Sequence, residues 1–332
     1  MKVLLTGATG FLGGHIADVL LKRGYSVRAI YRKFPKNYEK VPWFDKIEWY
    51  KGDITSLIDL TKAAQGCNAI IHAAARTDQT PSGLENYLKI NVEVTKKLTE
   101  IAQNQQIRLV FVSTANVFAP SRAGGTEQNP FCWGGIGSGY ATSKYLAQKA
   151  VLEACQKGLD AVVVNPTFMI GGFDTKPSSG AIILHVLKEF VVFYPESGGK
   201  NFIYVRDAAI GVVNALELGH AGKAYLLANQ NLDYRTFMTM VAQKANRRRF
   251  FIPIPKFLLI GAGRIVSFLD KFFKTNIELN YPNAILLTTD NYYSAQLAVD
   301  ELKLPQTAIE IAVEEAIRWF EGVENFTDYE IS

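Results

Sequence analysis

The sequence predicts an α/β protein whose main domain is a parallel sheet covered by helices on both faces. Through about residue 165, short apolar runs alternate with helical patterns. Such a succession builds βαβ units, whose ligands bind beyond the carboxyl ends of the strands. A glycine-rich turn directly after the first run supports the same fold. The predicted strands are Val3–Thr6, Val27–Tyr31, Ile47–Tyr50, Ala69–His72, Leu109–Ser113 and Ala161–Asn165.

The helical pattern after the first strand has one apolar face, and the glycine at position 24 suits its C-terminus. After residue 170 the alternation weakens, and the glycine-rich stretches "GGFDTKPSS" and "ESGGKN" flank a helix near residues 180–191. We expect residues 1–168 to form the main domain. A strand and a helix near residues 201–228 are expected to return to it, while residues 169–332 form mainly a smaller, discontinuous lid over the substrate.

The composition is that of an ordinary globular protein of 332 residues, with 48% hydrophobic and 20% charged residues. The net charge of +5 is modest and partly local, since Arg247, Arg248 and Arg249 are consecutive, so nucleic acid is not expected as a partner. Three scattered cysteines predict neither a disulfide framework nor a zinc site and favour the reducing cytoplasm. The N-terminal "MKVLLTGATG" predicts a buried strand and not a signal peptide.

Residues 252–273 are the most hydrophobic long stretch. Lys256, Arg264 and Asp270, with two prolines and two glycines, argue against a membrane span. An amphipathic helix from about Lys256 to Phe273 is predicted, and packing against the lid is the favoured interpretation. The alternative is that the helix, with the arginine run before it, contacts a membrane surface or lines an apolar substrate cleft.

The turn "TGATGFLGG" follows the first strand and opens the first helix. Glycine lets the backbone turn tightly and approach a pyrophosphate, while the free N–H groups and dipole of the helix start favour an anion. The Gly-x-x-Gly-x-x-Gly spacing differs from the Gly-x-Gly-x-x-Gly fingerprint, but its place between strand and helix indicates a dinucleotide site. The expected contacts are Gly7, Thr9, Gly10, Phe11, Leu12 and Gly13.

The end of the second strand distinguishes between the two nicotinamide cofactors. NAD-specific folds usually carry an acidic residue there, whereas this chain has Arg32 and Lys33, which suit a 2′-phosphate. NADP(H) is therefore preferred, and NAD(H) stays possible. After the third strand, Asp53 is placed to accept a hydrogen bond from the adenine amine and Ile54 to cover the ring.

The fifth strand ends in Ser113 and Thr114, and the next helix carries Tyr140 and Lys144 one turn apart. A tyrosine titrates near about 10, so it needs a neighbouring positive charge to act as an acid–base catalyst. We expect Lys144, helped by the positive charge of the oxidised nicotinamide, to supply that charge, and a hydroxyl of Thr114 or Ser113 to hold the substrate oxygen. The set supports hydride transfer at a carbinol carbon, with Tyr140 carrying the proton.

These motifs, together with "HAAA", "NPTFMIGG" and "FIYVRDAA", occur in the order and spacing of the extended short-chain dehydrogenase/reductases, which the chain resembles over nearly its whole length. The resemblance implies a doubly wound Rossmann domain and a small C-terminal substrate domain. It implies Thr114, Tyr140 and Lys144 as the catalytic residues and a structural role for Asn91. It further implies a nicotinamide side formed by Ala73, Ala74, Ala75, Ser113, Asn165, Pro166 and Thr167.

Within this family, "VNPTFMIGG", "GKAYLLANQN" and "YYSAQLAVDELKLP" look most similar to the dihydroflavonol-4-reductase-like branch, which includes hopanoid-associated sugar epimerases. Sugar-nucleotide epimerases and dehydratases usually hold the substrate pyrophosphate with two arginines. Here Lys200 occupies the first position and "TTDNYYSA" the second. Lysine lacks the bidentate fork, so a diphosphate substrate is disfavoured.

The loop between Pro120 and Gly139 is expected to cover the substrate, because it carries aromatic side chains and four glycines next to Tyr140. Such a lining suits an apolar ketone, aldehyde or alcohol. The alternative is that these aromatics only pack the lid. His72 is expected at a strand end with a satisfied hydrogen bond, and no metal site is predicted. The expected substrate residues are Arg76, Trp133, Phe168, Met169 and Phe202, together with Phe131.

The leading hypothesis is an NADPH-dependent oxidoreductase that reduces a ketone or aldehyde, or runs the reverse reaction. A sugar-nucleotide epimerase or dehydratase and a non-catalytic dinucleotide-sensing scaffold are the alternatives. The intact set of Thr114, Tyr140 and Lys144 speaks against the scaffold. A monomer or a homodimer is expected. The substrate, the direction of reaction and the oligomeric state are not determined by the sequence.

Overall fold

A computed structural model describes residues 1–35, 38, 41–77, 84–134, 137–177, 179–273 and 279–322, with only the backbone for residues 270–273. Two of the sequence-based expectations concern residues that lie partly outside these ranges. Gly135 and Ile136 of the expected substrate loop, and residues 323–332 of the expected lid, lie outside the described residues.

The main sheet is parallel and has seven strands in the order β10, β6, β5, β4, β1, β2, β3. This order confirms the predicted Rossmann-like fold, and the six predicted strands are found within one residue of their expected ends. The strands are β1 Lys2–Thr6, β2 Ser26–Tyr31, β3 Glu48–Lys51, β4 Ala69–His72, β5 Arg108–Val112, β6 Ala161–Pro166, β7 Phe168–Ile170, β8 Val191–Pro195, β9 Gly199–Tyr204, β10 Ala224–Leu227, β11 Gln230–Asp233, β12 Phe250–Ile254 and β13 Asp290–Asn291.

Helices cover both faces of this sheet, because successive strand residues point to opposite sides. Val3 and Leu5 of β1 join the core under α1 and α7, whereas Leu4 between them joins the core under α2, α4 and α5. Both faces are apolar for this reason. The helices are α1 Phe11–Lys22, α2 Leu57–Ala64, α3 Leu84–Tyr87, α4 Val94–Gln105, α5 Gly139–Gln156, α6 Ala181–Lys188, α7 Val205–Leu218, α8 Tyr234–Lys244, α9 Lys256–Phe273, α10 Tyr281–Leu287, α11 Gln296–Leu302 and α12 Ile309–Glu321.

The second half of the chain builds two small sheets and also completes the large one. Strands β11, β9 and β13 are neighbours, with β7 also paired to β9, and β12 pairs with β8. Of the segment near residues 201–228 that was expected to return to the main domain, α7 packs against α1 and β10 pairs with β6. Its first strand, β9, lies instead in the small sheet.

Aromatic and carboxylate contacts hold the elements of the second half of the chain together. Phe202 of β9 is fully buried and stacks on Phe237 of α8, with ring centroids 3.9 Å apart. Glu315 of α12 accepts hydrogen bonds from the backbone N–H of Gly172, at 2.8 Å, and from the hydroxyl of Tyr204. These contacts join α12 to the segment that leaves β7 and to the end of β9.

In the part of the chain that the structure describes, no helix is both long enough and apolar enough to cross a membrane.

Replacing Phe237 by alanine should destabilise the lid, because the ring is fully buried and its removal leaves Phe202 without its stacking partner. The expected cost is about 3–5 kcal/mol, which lowers the melting temperature by roughly 5–15 °C. Differential scanning calorimetry measures it. Phe190→Ala is the matched control, since that ring is 69% exposed and should leave the melting temperature near that of the wild type.

Candidate active site

The turn between β1 and α1 brings two backbone segments into a contact that only glycine permits. Gly7 has a φ of +81°, and a Cβ on it would lie 2.6 Å from the backbone nitrogen of Ala74. A Cβ on Gly13 would lie 2.0 Å from the carbonyl oxygen of Gly7. The first turn of α1 therefore packs against the backbone of Gly7, and Gly7 packs against the backbone of Ala74 after β4.

The start of α1 presents backbone N–H groups at this turn. Gly10 is the N-cap of the helix, and among the described residues no side chain caps it. The first-turn amides and the helix dipole are therefore free to receive an anion. Thr9 and Phe11 are partly exposed beside them, whereas Leu12 is buried in the core and offers only its backbone. This cradle fits the pyrophosphate of a dinucleotide.

The ends of β2 and β3 lie side by side and place the predicted adenosine residues together. Arg32 and Lys33 are exposed directly after β2. Asp53, after β3, accepts hydrogen bonds on Oδ1 from the backbone N–H and the hydroxyl of Thr55, both at 2.8 Å. These bonds, and more weakly the charge of nearby Arg32, hold the pKa of Asp53 below its ordinary value. Ile54 is partly buried next to it.

His72 lies at the end of β4, and both of its ring nitrogens are hydrogen-bonded. Its Nδ1 is 2.7 Å from the hydroxyl of Thr6, and its Nε2 is 3.2 Å from the hydroxyl of Thr95. Because Thr95 donates its own proton to the carbonyl of Asn91, we infer that Nε2 carries the imidazole proton. Burial, helped by the charge of Lys144, lowers the pKa of His72 to about 3. The ring is therefore neutral and structural, as its buried position suggests.

Asn91 joins the loop after β4 to α5. It lies in a π-helical turn over residues 88–93, where its carboxamide bonds both the N–H and the carbonyl of Arg76, at 2.8 and 3.1 Å. Its Nδ2 also donates to the hydroxyl of Ser143 at 2.9 Å. The guanidinium of Arg76 lies over the ring of Tyr87, 5.4 Å from its centroid. The short segment of Ala73, Ala74 and Ala75 is thus held at one end by β4 and at the other by the bonds to Arg76.

Tyr140 lies in the first turn of α5, next to the strand end that carries Thr114. Ser138 caps this helix, its hydroxyl accepting a hydrogen bond from the N–H of Ala141 at 3.3 Å. The pKa of Tyr140 is raised by burial, and hydrogen bonding with the side chain of Thr114 opposes the rise. The phenol is therefore protonated at neutral pH in the free enzyme, ready to donate.

Lys144 is buried one turn further along α5, with only 2% of its surface exposed. Its Nζ donates a hydrogen bond to the carbonyl of Val112 at 2.7 Å and lies 4.4 Å from the centroid of the Phe111 ring. Burial lowers its pKa to about 7.

Asn165 connects the ends of β5 and β6 to α5. Its Nδ2 donates to the carbonyl of Thr114 at 2.9 Å and to Oε1 of Gln148 at 2.7 Å. Its Oδ1, and the hydroxyl of Ser113 on the neighbouring strand end, are buried with no hydrogen-bond partner among the described residues. Unpaired buried polar atoms are costly, so they suit a polar ligand such as a nicotinamide carboxamide. Pro166 is buried beside them, and Thr167 donates to Oδ1 of Asn201 at 2.7 Å.

Some of the predicted substrate residues are partly exposed in the structure, and others are buried. Phe168 and Met169 are partly buried on β7. Phe202 is fully buried and supports Phe168 edge-on, with ring centroids 5.6 Å apart. Trp133 is 4% exposed and packs against Ala141 and Leu286. Both side chains contribute packing, and their contact with a substrate stays a prediction.

Gln148 and Tyr87 were missed by the sequence analysis. Gln148 follows Lys144 by four residues, so the spacing of Tyr140, Lys144 and Gln148 on one helical face was the available signal. Tyr87 had no such signal, because its contact is tertiary: a Cβ on Gly139 would lie 3.0 Å from its ring. A side chain at position 139 would therefore crowd the ring of Tyr87.

The sequence model described as the NAD dependent epimerase/dehydratase family matches residues 3–228. The chain belongs to this family, and it is an NAD(P)-dependent enzyme of the short-chain dehydrogenase/reductase type.

Three similar proteins match nearly the whole chain. A putative dihydroflavonol 4-reductase of Synechocystis sp. is 30% identical, over 96% of this chain and 94% of the relative. Sterol demethylase protein B of Methylococcus capsulatus is 25% identical, over 96% and 98% of the two chains. The crystal structure of gox2253 is 26% identical and has a TM-score of 0.84, over 98% and 99% of the two chains. The relatives with full-length similarity thus include a named reductase.

Replacing His72 by glutamine should make unfolding less sensitive to acid. Below about pH 6.5, unfolded His72 binds a proton that the native residue, with a pKa of about 3, does not bind. Native stability is therefore lost as the pH falls from about 6.5 toward 4, by up to about 1.4 kcal/mol per pH unit for one proton. Urea unfolding at several pH values measures the slope. Parallel curves for wild type and His72→Gln would contradict the neutral assignment.

Proposed function

We propose that this enzyme is an NADPH-dependent reductase that converts a ketone or aldehyde to an alcohol. The observation that supports this most directly is the position of Tyr140 at the start of α5, where its phenol meets the side chain of Thr114 at the same sheet edge as the glycine cradle. The similarity to a putative dihydroflavonol 4-reductase agrees with it.

In this proposal the bound cofactor supplies the hydride that adds to the carbonyl carbon. The hydroxyl of Thr114 holds the substrate oxygen, and Tyr140 donates the proton that this oxygen takes up. Lys144 stabilises the phenolate left on Tyr140. With a pKa of about 7, Lys144 is also able to return a proton to the site, while its bond to Val112 keeps it in place.

Removing the phenol hydroxyl should abolish most of the activity. Tyr140→Phe keeps the ring but has no proton to donate, so kcat should fall by about 10²–10⁴-fold, the usual contribution of a general acid. The measurement is NADPH oxidation, followed by absorbance, with a panel of aromatic and aliphatic ketones and aldehydes.

Tyr145→Phe is the matched control on the same helix. The Tyr145 ring stacks on Phe131 with centroids 4.4 Å apart, and this stacking survives loss of the hydroxyl. Wild-type rates are expected for it. Equal rates for Tyr140→Phe and Tyr145→Phe would refute the proposed proton donor. Tightly retained NAD with turnover of a UDP-sugar would instead favour a sugar-nucleotide epimerase.

The preference for NADPH is supported by the basic end of β2. Arg32 and Lys33 are exposed, and Arg32 is near enough to Asp53 to influence its pKa. The ribose next to the adenine site is where a 2′-phosphate would lie. A guanidinium there is suited to bind it with two hydrogen bonds.

Replacing Arg32 by serine should therefore weaken the binding of NADPH and leave the binding of NADH nearly unchanged. Loss of a charged hydrogen bond corresponds to about 10–100-fold in affinity, so Kd for NADPH should rise by that factor while Kd for NADH stays within about twofold. Cofactor fluorescence titration measures both constants. Arg235→Ser, an exposed arginine on α8, is the control. An equal loss for both cofactors would argue against 2′-phosphate recognition.

A further inference from the structure

Helix α9 packs on the lid with one side only. Leu259 and Gly263 are buried, and a Cβ on Gly263 would lie 2.8 Å from the Cβ of Ala284 on α10. The hydroxyl of Ser267 accepts a hydrogen bond from the N–H of Tyr281 at 2.8 Å, on the same side. These residues follow each other by four, so they define the inward face of the helix. The sequence analysis favoured this packing, and the inward face agrees with it.

The opposite face of α9 is apolar and exposed. At about 100° per residue, its exposed apolar side chains fall on one arc of roughly 120° around the helix. Exposure of large apolar side chains in one continuous group on a protein surface indicates an interaction site. The exposed fractions are 72% for Phe257, 52% for Leu258, 63% for Ile265, 61% for Phe268 and 37% for Leu269.

The charge around this face is positive. Residues 247–269 contain five basic residues and no acidic residue. Arg248, Lys256 and Arg264 are exposed. Arg264 lies at one edge of the apolar arc, whereas Lys256, at the start of the helix, falls on the side of Leu259 and Gly263. An apolar arc with a guanidinium at its edge, in a segment without acidic residues, complements an anionic lipid surface, where the arc enters the acyl boundary and the cation meets the headgroups.

We propose that the exposed face of α9 docks on the surface of an anionic lipid bilayer. A surface of acidic protein residues would match the cations but would leave the apolar arc without a partner. The helix lies in the interface plane and does not span the bilayer, in keeping with the absence of a membrane-spanning helix among the described residues. This inference does not depend on the proposed reductase activity.

Docking through α9 would bring the bilayer close to the catalytic helix. On the inner side of α9, α10 contributes Leu286 to a cluster with Trp133 and Ala141. Ala141 is the residue directly after Tyr140. One helix therefore separates the docking face from the loop beside the active site, a short path for an apolar ligand.

The test is co-sedimentation of the full chain with vesicles of phosphatidylcholine and phosphatidylglycerol, compared with phosphatidylcholine alone. Wild-type protein should bind the anionic vesicles, and binding should weaken with salt. The double variant Ile265→Ser, Phe268→Ser should lower the partition coefficient by at least about tenfold. Arg264→Ser should lower it by about fivefold on anionic vesicles.

The matched control is Leu218→Ser, Ile311→Ser, since these side chains are 45% and 51% exposed on α7 and α12. It should sediment like the wild type. Melting temperature and NADPH binding verify that each variant is folded, without recourse to turnover. Failure of the wild type to bind anionic vesicles, or an equal loss in the control, would overturn the proposal. So would a wild-type dimer that Ile265→Ser, Phe268→Ser dissociates, because a second copy would then occupy the face.

Discussion

Helix α5 is held on the ends of β5 and β6 by buried hydrogen bonds, and the geometry of the active site depends on them. Lys144 bonds the carbonyl of Val112, and Gln148 bonds Asn165, which in turn bonds the carbonyl of Thr114. Each of these groups is buried, so breaking one bond leaves a polar atom without water as a substitute. The helix therefore cannot slide along the sheet, and Tyr140 stays beside Thr114.

The same hydrogen bonds position Lys144, which anchors the helix and has a chemical role in the proposed reaction. A buried ammonium is costly unless it is well bonded, and burial shifts its pKa to about 7. The bond to Val112 and the ring of Phe111 compensate for part of that cost. In the proposed reaction, a lysine with such a pKa can both stabilise the phenolate and exchange a proton, and its burial is the cause of that pKa.

The second half of the chain has apolar side chains both in its core and on the exposed face of α9. Phe202 and Phe237 form a stacked core, while Phe257, Ile265 and Phe268 are exposed on α9. From the sequence, these two groups look alike, since both are aromatic or aliphatic residues in a hydrophobic half. Only the packing of β9 on α8, and of α9 on α10, separates them.

The parallel sheet, the glycine turn and the placing of Tyr140 and Lys144 one turn apart could be predicted from the sequence, because each depends on local spacing along one strand or helix. The family could be predicted as well, from several motifs in fixed order. Only the folded chain shows that Lys144 bonds Val112, that Asn165 connects Thr114 to Gln148, and that α9 leaves one apolar face exposed. These contacts join residues far apart in the chain, and side-chain burial depends on which neighbours cover a face, which no local pattern records.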